Sequence, residues 1–212
     1  MIYTRTLSLW AAMTAVMMTP VVAPWLRAVY RLERTGPVGG GATRTEAWFS
    51  PVPVTLGFAA GYVGAWSGFA AAAAALQVSL GAIGVPMPLG SLGGIAAGVP
   101  LILVGAYQFT GIKDRCLSKC RSPMGYLLSH WRAGSRGGLE MGFGHGLHCL
   151  GCCWALMLLA LVVGHMHLAW MAVLTAVMII ETVMPGGRRA VRPVGALLVL
   201  VGLASALGWS PQ

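Results

Sequence analysis

The chain is a succession of long apolar runs almost free of charge, and that property removes most folds from consideration. Six runs stand out: Leu7 to Leu26, Val52 to Leu76, Leu92 to Phe109, Gly138 to Val163, His165 to Val183 and Val194 to Trp209. A helix needs about 20 apolar residues to cross a hydrocarbon core of about 30 Å. The expected fold is therefore all-α: a polytopic transmembrane helical bundle with six spans, forming one integral membrane domain over residues 1–212. The last run is shorter and would also fit along the interface, which leaves five spans as the alternative. With 57% hydrophobic and 9% charged residues, no soluble domain of this length is expected.

The few charges carry an orientation. Arg27, Arg31, Arg34 and Arg44 follow the first run. Lys113, Arg115, Lys119, Arg121, Arg132 and Arg136 lie between the third and fourth, and Arg188, Arg189 and Arg192 precede the sixth. Of the 14 basic residues only Arg5 falls on the other side. The connections at Gly81 to Ser91 and at Gly164 carry no charge. Basic residues stay in the cytoplasm, so both termini are expected outside and the three basic loops inside. The net charge of +9 is then a topology signal and a contact with anionic headgroups of the lipid bilayer rather than a nucleic-acid footprint. Residues 1–26 show neither a basic n-region nor a small-residue cleavage pattern, so no signal peptide is expected. Residues 111–137 carry Tyr126, Leu127, Leu128 and Trp131 beside basic positions, which predicts a cytoplasmic amphipathic helix leading into the fourth span.

Chemistry concentrates at the start of the fourth run, in Met141-Gly-Phe-Gly-His-Gly-Leu-His-Cys-Leu-Gly-Cys-Cys-Trp154. At 100° per residue His145, His148, Cys149, Cys152 and Cys153 fall within an arc of roughly 140°. Thiols and imidazoles gathered on one helical face suit a soft transition metal. The cytoplasmic setting keeps thiols reduced, and the five cysteines, an odd number, argue against structural disulfides. Cys116 and Cys120 stand one helical turn apart beside Lys and Arg, which predicts depressed thiol pKa values and a chelating or disulfide-exchanging pair. Zinc would need four ligands in tetrahedral array, and one helix offers three at best, so a second segment must contribute. Cys149-Leu-Gly-Cys152 also has the spacing of a redox dithiol, and cysteines in a membrane helix can be plain packing residues. Covalent haem needs Cys-x-x-Cys-His, which Cys153 interrupts.

Other positions extend the candidate set. Glu181 near the end of the fifth run needs a cation or a proton, or must reach the interface beside Arg188 or Arg189. Trp10, Met13, Met17 and Met18 form a face that suits either packing or a thioether site for Cu(I). His165 and His167 stand at the opposite mouth, placed to capture a metal from outside or simply to solvate a turn. Gly57, Gly61, Gly64 and Gly68 on the second run, and Gly90, Gly94 and Gly98 on the third, form small-residue stripes that let helices approach closely. No phosphate loop, dinucleotide fingerprint or paired catalytic carboxylates appear, so an enzyme reading would rest wholly on a bound metal.

Four phrases make the chain recognisable: Leu9-Trp-Ala-Ala-Met-Thr-Ala-Val-Met-Met-Thr-Pro20, Gly105-Ala-Tyr-Gln-Phe-Thr-Gly-Ile-Lys-Asp-Arg-Cys-Leu-Ser-Lys-Cys-Arg-Ser-Pro123, Gly146-Leu-His-Cys-Leu-Gly-Cys-Cys-Trp-Ala-Leu-Met157 and Trp170-Met-Ala-Val-Leu-Thr-Ala-Val-Met-Ile-Ile-Glu181. From about Leu9 to Pro185 the sequence resembles a bacterial family of integral membrane proteins, the domain of unknown function numbered 2182, catalogued as predicted metal-binding. The resemblance implies a metal site at the cysteine phrases. Two positions depart from it: His148 stands where the family carries Tyr, and Glu181-Thr182 where it carries Glu-Lys, which leaves Glu181 without the family's basic partner. Taken together, the residues predict a bacterial inner-membrane protein that binds a transition metal, copper ahead of zinc, in metal handling or assembly support. An accessory subunit of a larger membrane complex, with its glycine stripes as docking faces, is the alternative.

Overall fold

A computed structural model describes residues 1–35, 54–86, 94–163 and 168–208. Among these residues the chain is helical throughout, with no strand. The helices are α1 (Ile2–Thr35), α2 (Val54–Ala82), α3 (Gly94–Tyr107), α4 (Gly111–Cys120), α5 (Pro123–His130), α6 (Gly134–Leu158), the short α7 (Ala160–Val163), α8 (Leu168–Thr182) and α9 (Gly187–Ala206). Four stretches, Ile2–Arg34, Val54–Ala82, Gly134–Val162 and Gly187–Ala206, are long and apolar enough to cross a bilayer. A fifth is reached if α3 and α4, bent by 62°, count as one broken span.

Among the described residues this count reaches at most the five-span alternative, and the helix bounds differ from expectation in two places. The last helix is not the short one: it runs 20 residues from Gly187, because Arg188, Arg189 and Arg192 extend the helix beyond the apolar stretch that starts at Val194. The apolar runs whose described helix is shorter than a span are those of α3 and α8, with 14 and 15 residues. The amphipathic connection 111–137 is also not one helix. It divides into α4 and α5 at Arg121 and Ser122, with Pro123 opening α5, and α6 already begins at Gly134, four residues before the apolar run.

Two glycine-mediated couples organise the bundle. Between α2 and α6, a Cβ on Gly57 would strike the Ser135 carbonyl and one on Gly61 the Leu139 carbonyl. In return, Gly138 faces the Val54 carbonyl and Gly142 the Phe58 carbonyl. Small residues four apart on both helices thus let the backbones interlock, which supports packing and Cα–H···O contacts without side chains. The second couple joins α3 to α9, with Gly98 against Gly202 and Gly105 against Gly195. The stripes are only partly used. Gly64, Gly68 and Gly94 have nothing within 4 Å of a would-be Cβ, and Gly90 lies outside the described residues. Outward positions such as Val63, Leu103, Leu147 and Leu200 are large, apolar and exposed, as a lipid-facing surface requires.

α1 lies along α2 and also meets α8, running through Pro20 and Pro24 without a break. Its Trp10, Met13, Met17 and Met18 are buried in the core, and Trp10 donates to Gln77 at 2.7 Å. α4 packs on α6 instead of lying free on a surface. Lys113, Leu117 and Cys120, at i, i+4 and i+7, form its buried face.

Candidate metal centre

The motif helix α6 buries His145, Cys149, Cys152 and Cys153 among its neighbours, which the angular spacing predicts. Cys120, from the last turn of α4, arrives from the other side. The Sγ atoms of Cys120, Cys149 and Cys152 all lie within 4.8 Å of one another, with Cys152 3.7 Å from Cys120. Cys152 donates to the Cys149 carbonyl at 3.1 Å, and its sulfur lies 3.3 Å from that of Cys153. No cysteine is disulfide-bonded. The second segment that the ligand arithmetic demands is therefore α4, through Cys120 alone.

A layer of aromatic residues fixes this constellation. Trp25 of α1 donates from Nε1 to the Cys120 carbonyl at 3.2 Å and stacks on the His145 ring at 3.6 Å. Phe58 and Tyr62 of α2 stack near the same ring, each with centroids 5.7 Å away. The Tyr62 hydroxyl sits 3.4 Å from Cys149 Sγ. His145 is 1% exposed and its Nε2 has no hydrogen-bond partner. It shares a cavity of about 140 Å³ with Trp25, Cys120, Arg121 and Cys149.

The remaining sequence candidates are used differently. His148 is turned away from the thiols: its Nε2 meets Lys119 Nζ at 2.9 Å and its Nδ1 the Gly144 carbonyl at 2.7 Å. Cys116 does not chelate with Cys120; its side chain fills the notch left by Gly151, where a Cβ would come within 2.6 Å of its sulfur. Burial pushes the Cys116 thiol up, with Lys119 opposing. The Cys120 thiol is held well above its ordinary value by its hydrogen bond with Cys149 and by burial. The expected depression therefore fails for both: at Cys116 burial outweighs Lys119, and at Cys120 the neighbouring Cys149 and burial hold the thiol up. His165 and His167 lie outside the described residues.

Glu181 has a basic partner after all. Lys113 Nζ lies 2.7 Å from its Oε2, with both side chains 1% exposed. Glu181 does not reach the interface, and Arg188 pairs with Asp114 instead. Arg121, the residue after α4, donates to the carbonyls of Glu181 and Met184 at 2.5 and 2.6 Å, satisfying the C-terminal end of α8. Lys113, Trp25 and Tyr62 are the contributors that sequence reasoning missed. The one available signal was Lys113 itself, a cation at i−7 from Cys120 on the same helical face.

The donor set can be tested against a metal directly. Metal–sulfur bonds of about 2.3 Å place sulfurs of one coordination sphere about 4 Å apart, close to the separations present. Three soft thiols shielded from water fit Cu(I), which such ligands select. Zinc takes a fourth ligand, for which His145 and Cys153 are the neighbouring donors. A family model described as PpoB2, copper chaperone, matches residues 7–205. No curated protein matches, and no solved structure does.

Proposed function

The chain belongs to the PpoB2 copper chaperone family, and we propose that it carries Cu(I) on Cys120, Cys149 and Cys152 within a membrane-embedded bundle and passes it to a membrane-protein partner. The observation that carries this reading is the convergence of three buried thiols from two helices within 4.8 Å. Copper here is cargo. The aromatic layer and the buried setting exclude water and oxidants, and the cavity beside Cys120 and Cys149 offers an entry path. His145 and Cys153 stand next to the triad as auxiliary donors. The positive-inside pattern supports a bacterial inner-membrane location, with α4, α5 and the thiols toward the cytoplasm and both termini outside. The family match, over residues 7–205, supports the metal-binding expectation drawn from the resemblance over Leu9 to Pro185, under a family description other than the one numbered 2182.

The test is anaerobic Cu(I) titration of the purified protein in detergent, with stoichiometry by elemental analysis and competition against a Cu(I) chelator. One equivalent is expected, with three sulfur neighbours by X-ray absorption. Cys149→Ser with Cys152→Ser should bring bound copper to background, while Cys116→Ser keeps the full equivalent. A full equivalent retained by the double variant would overturn the assignment.

A further inference from the structure

Cys153 stands outside the three-thiol site, yet it is wholly buried and touches that site. Its sulfur lies 3.3 Å from that of Cys152, and its thiol is a hydrogen-bond neighbour of Cys149. Cys149, Cys152 and Cys153 stand at i, i+3 and i+4 on α6, the offsets that bring side chains together on one helix. They form a second triangle of thiols. It shares the Cys149–Cys152 edge with the first triangle, whose third corner is Cys120, so the four sulfurs offer two overlapping three-thiol positions.

The two positions differ in access. The cavity of about 140 Å³ is lined by Cys120 and Cys149 but not by Cys152 or Cys153. A ligand arriving from outside therefore meets copper on the Cys120 side, and the Cys153 side is closed to it. They differ also in what holds them together. Cys120 is the last residue of α4, whereas the second triangle lies within one continuous helix, α6. Displacing Cys120 thus leaves the second triangle whole.

Resting on the Cu(I) reading, we propose that Cys153 is the exchange ligand of this site: one Cu(I) alternates between Cys120, Cys149 and Cys152 on the open side and Cys149, Cys152 and Cys153 on the closed side. Soft thiolates select Cu(I) in either position. In the step, the copper bond to Cys120 breaks as the bond to Cys153 forms. The proton leaving the Cys153 thiol is taken up by the Cys120 thiolate, and copper stays Cu(I), so no electron moves. The ion never leaves Cys149 and Cys152. On the open side it meets its donor or acceptor; on the closed side it is held while Cys120 is free.

The experiment compares Cys120→Ser and Cys153→Ser with wild type, as full chains in detergent, loaded anaerobically with Cu(I) alone. Each single variant keeps one triangle and should retain one equivalent with three sulfur neighbours by X-ray absorption. The double variant keeps only Cys149 and Cys152 of the four thiols, and should show two sulfur neighbours and at least tenfold weaker binding. Release to a water-soluble Cu(I) chelator should be at least fivefold slower from Cys120→Ser than from Cys153→Ser, with wild type between them. Loss of copper from Cys120→Ser while Cys153→Ser keeps it overturns the proposal and leaves the three-thiol reading standing. Equal release rates from the two single variants also overturn the proposal, as does a second equivalent on wild type. Absence of copper from wild type overturns the reading itself and the proposal with it. Should a serine variant fail to fold, Cys120→Ala and Cys153→Ala repeat the comparison.

Discussion

Breaking the Lys113–Glu181 pair should destabilise the fold severely, whereas deleting both charges together should not. The two side chains meet at 2.7 Å and are each 1% exposed, so neither charge can recover its hydration if the other is removed. Stranding one member of such a pair costs about 3–5 kcal/mol, consistent with the 2.5–3.5 kcal/mol assigned to a charge at the centre of a membrane helix. The pair itself is incompletely satisfied, because Glu181 Oε1 has no partner, and its own net contribution is correspondingly small. Lys113→Met or Glu181→Leu alone should therefore cost about 3–5 kcal/mol. The double variant, which roughly conserves volume, should stay within about 1.5 kcal/mol of wild type. Tryptophan fluorescence during detergent titration in mixed micelles reads the unfolding equilibrium. Because Lys113 and Cys120 share one face of α4, Cu(I) retention against a chelator should fall in each single variant and recover in the double. Additive losses in the double variant, or singles below about 1 kcal/mol, would refute the reasoning that desolvation dominates this pair.

Other expected outcomes follow from packing and charge placement. Gly61→Leu should abolish folding, because its Cβ position meets the Leu139 carbonyl and the Phe143 amide, whereas Gly64→Ala, facing open space, should be neutral or stabilise by about 0.5–1 kcal/mol; thermal unfolding in detergent separates them. Arg121→Gln leaves two carbonyls at the end of α8 without their charged donor and should cost about 1.5–3 kcal/mol, read by the same detergent titration. A membrane-impermeant thiol label should reach half-buried Cys116 only after the cells are opened, and labelling of intact cells would invert the proposed orientation.

How far the sequence discloses this molecule differs between its levels. The helical class is written in the apolar runs, since a bilayer accepts little else, and the face of α6 is written in the spacing of His145, Cys149 and Cys152. Helix ends were less legible. Hydropathy marks where apolar residues stop, but α9 continues through Arg188, Arg189 and Arg192 because a helix can carry charges on its exposed turns. Residues 111–137 contain the amphipathic pattern of one helix, yet Ser122-Pro123 breaks it, since the ring of proline removes a donor and restricts the residue before it. Gly57, Gly61 and Gly98 pack as the stripes predict, whereas Gly64, Gly68 and Gly94 face open space, because composition alone does not say how far along a helix its neighbour extends.

The site itself marks the limit of such reading. Periodicity tells which residues share a face on one helix, but it carries no information about the helix that meets that face. Cys116 and Cys120 look equivalent in sequence, both one turn apart beside cations. Only the docking of α4 on α6 separates them, placing Cys120 against Cys149 and Cys152 while Cys116 fills the notch at Gly151. That docking is fixed by three contacts of long sequence separation: Lys113 to Glu181, Trp25 to the Cys120 carbonyl, and Arg121 to the end of α8. Two join α4 or its end to α8 and one joins it to α1, and each uses a polar group that would be costly to bury alone. The thiol triad is thus specified by the residues that make any other placement of α4 unfavourable, and those residues are neither thiols nor within the motif.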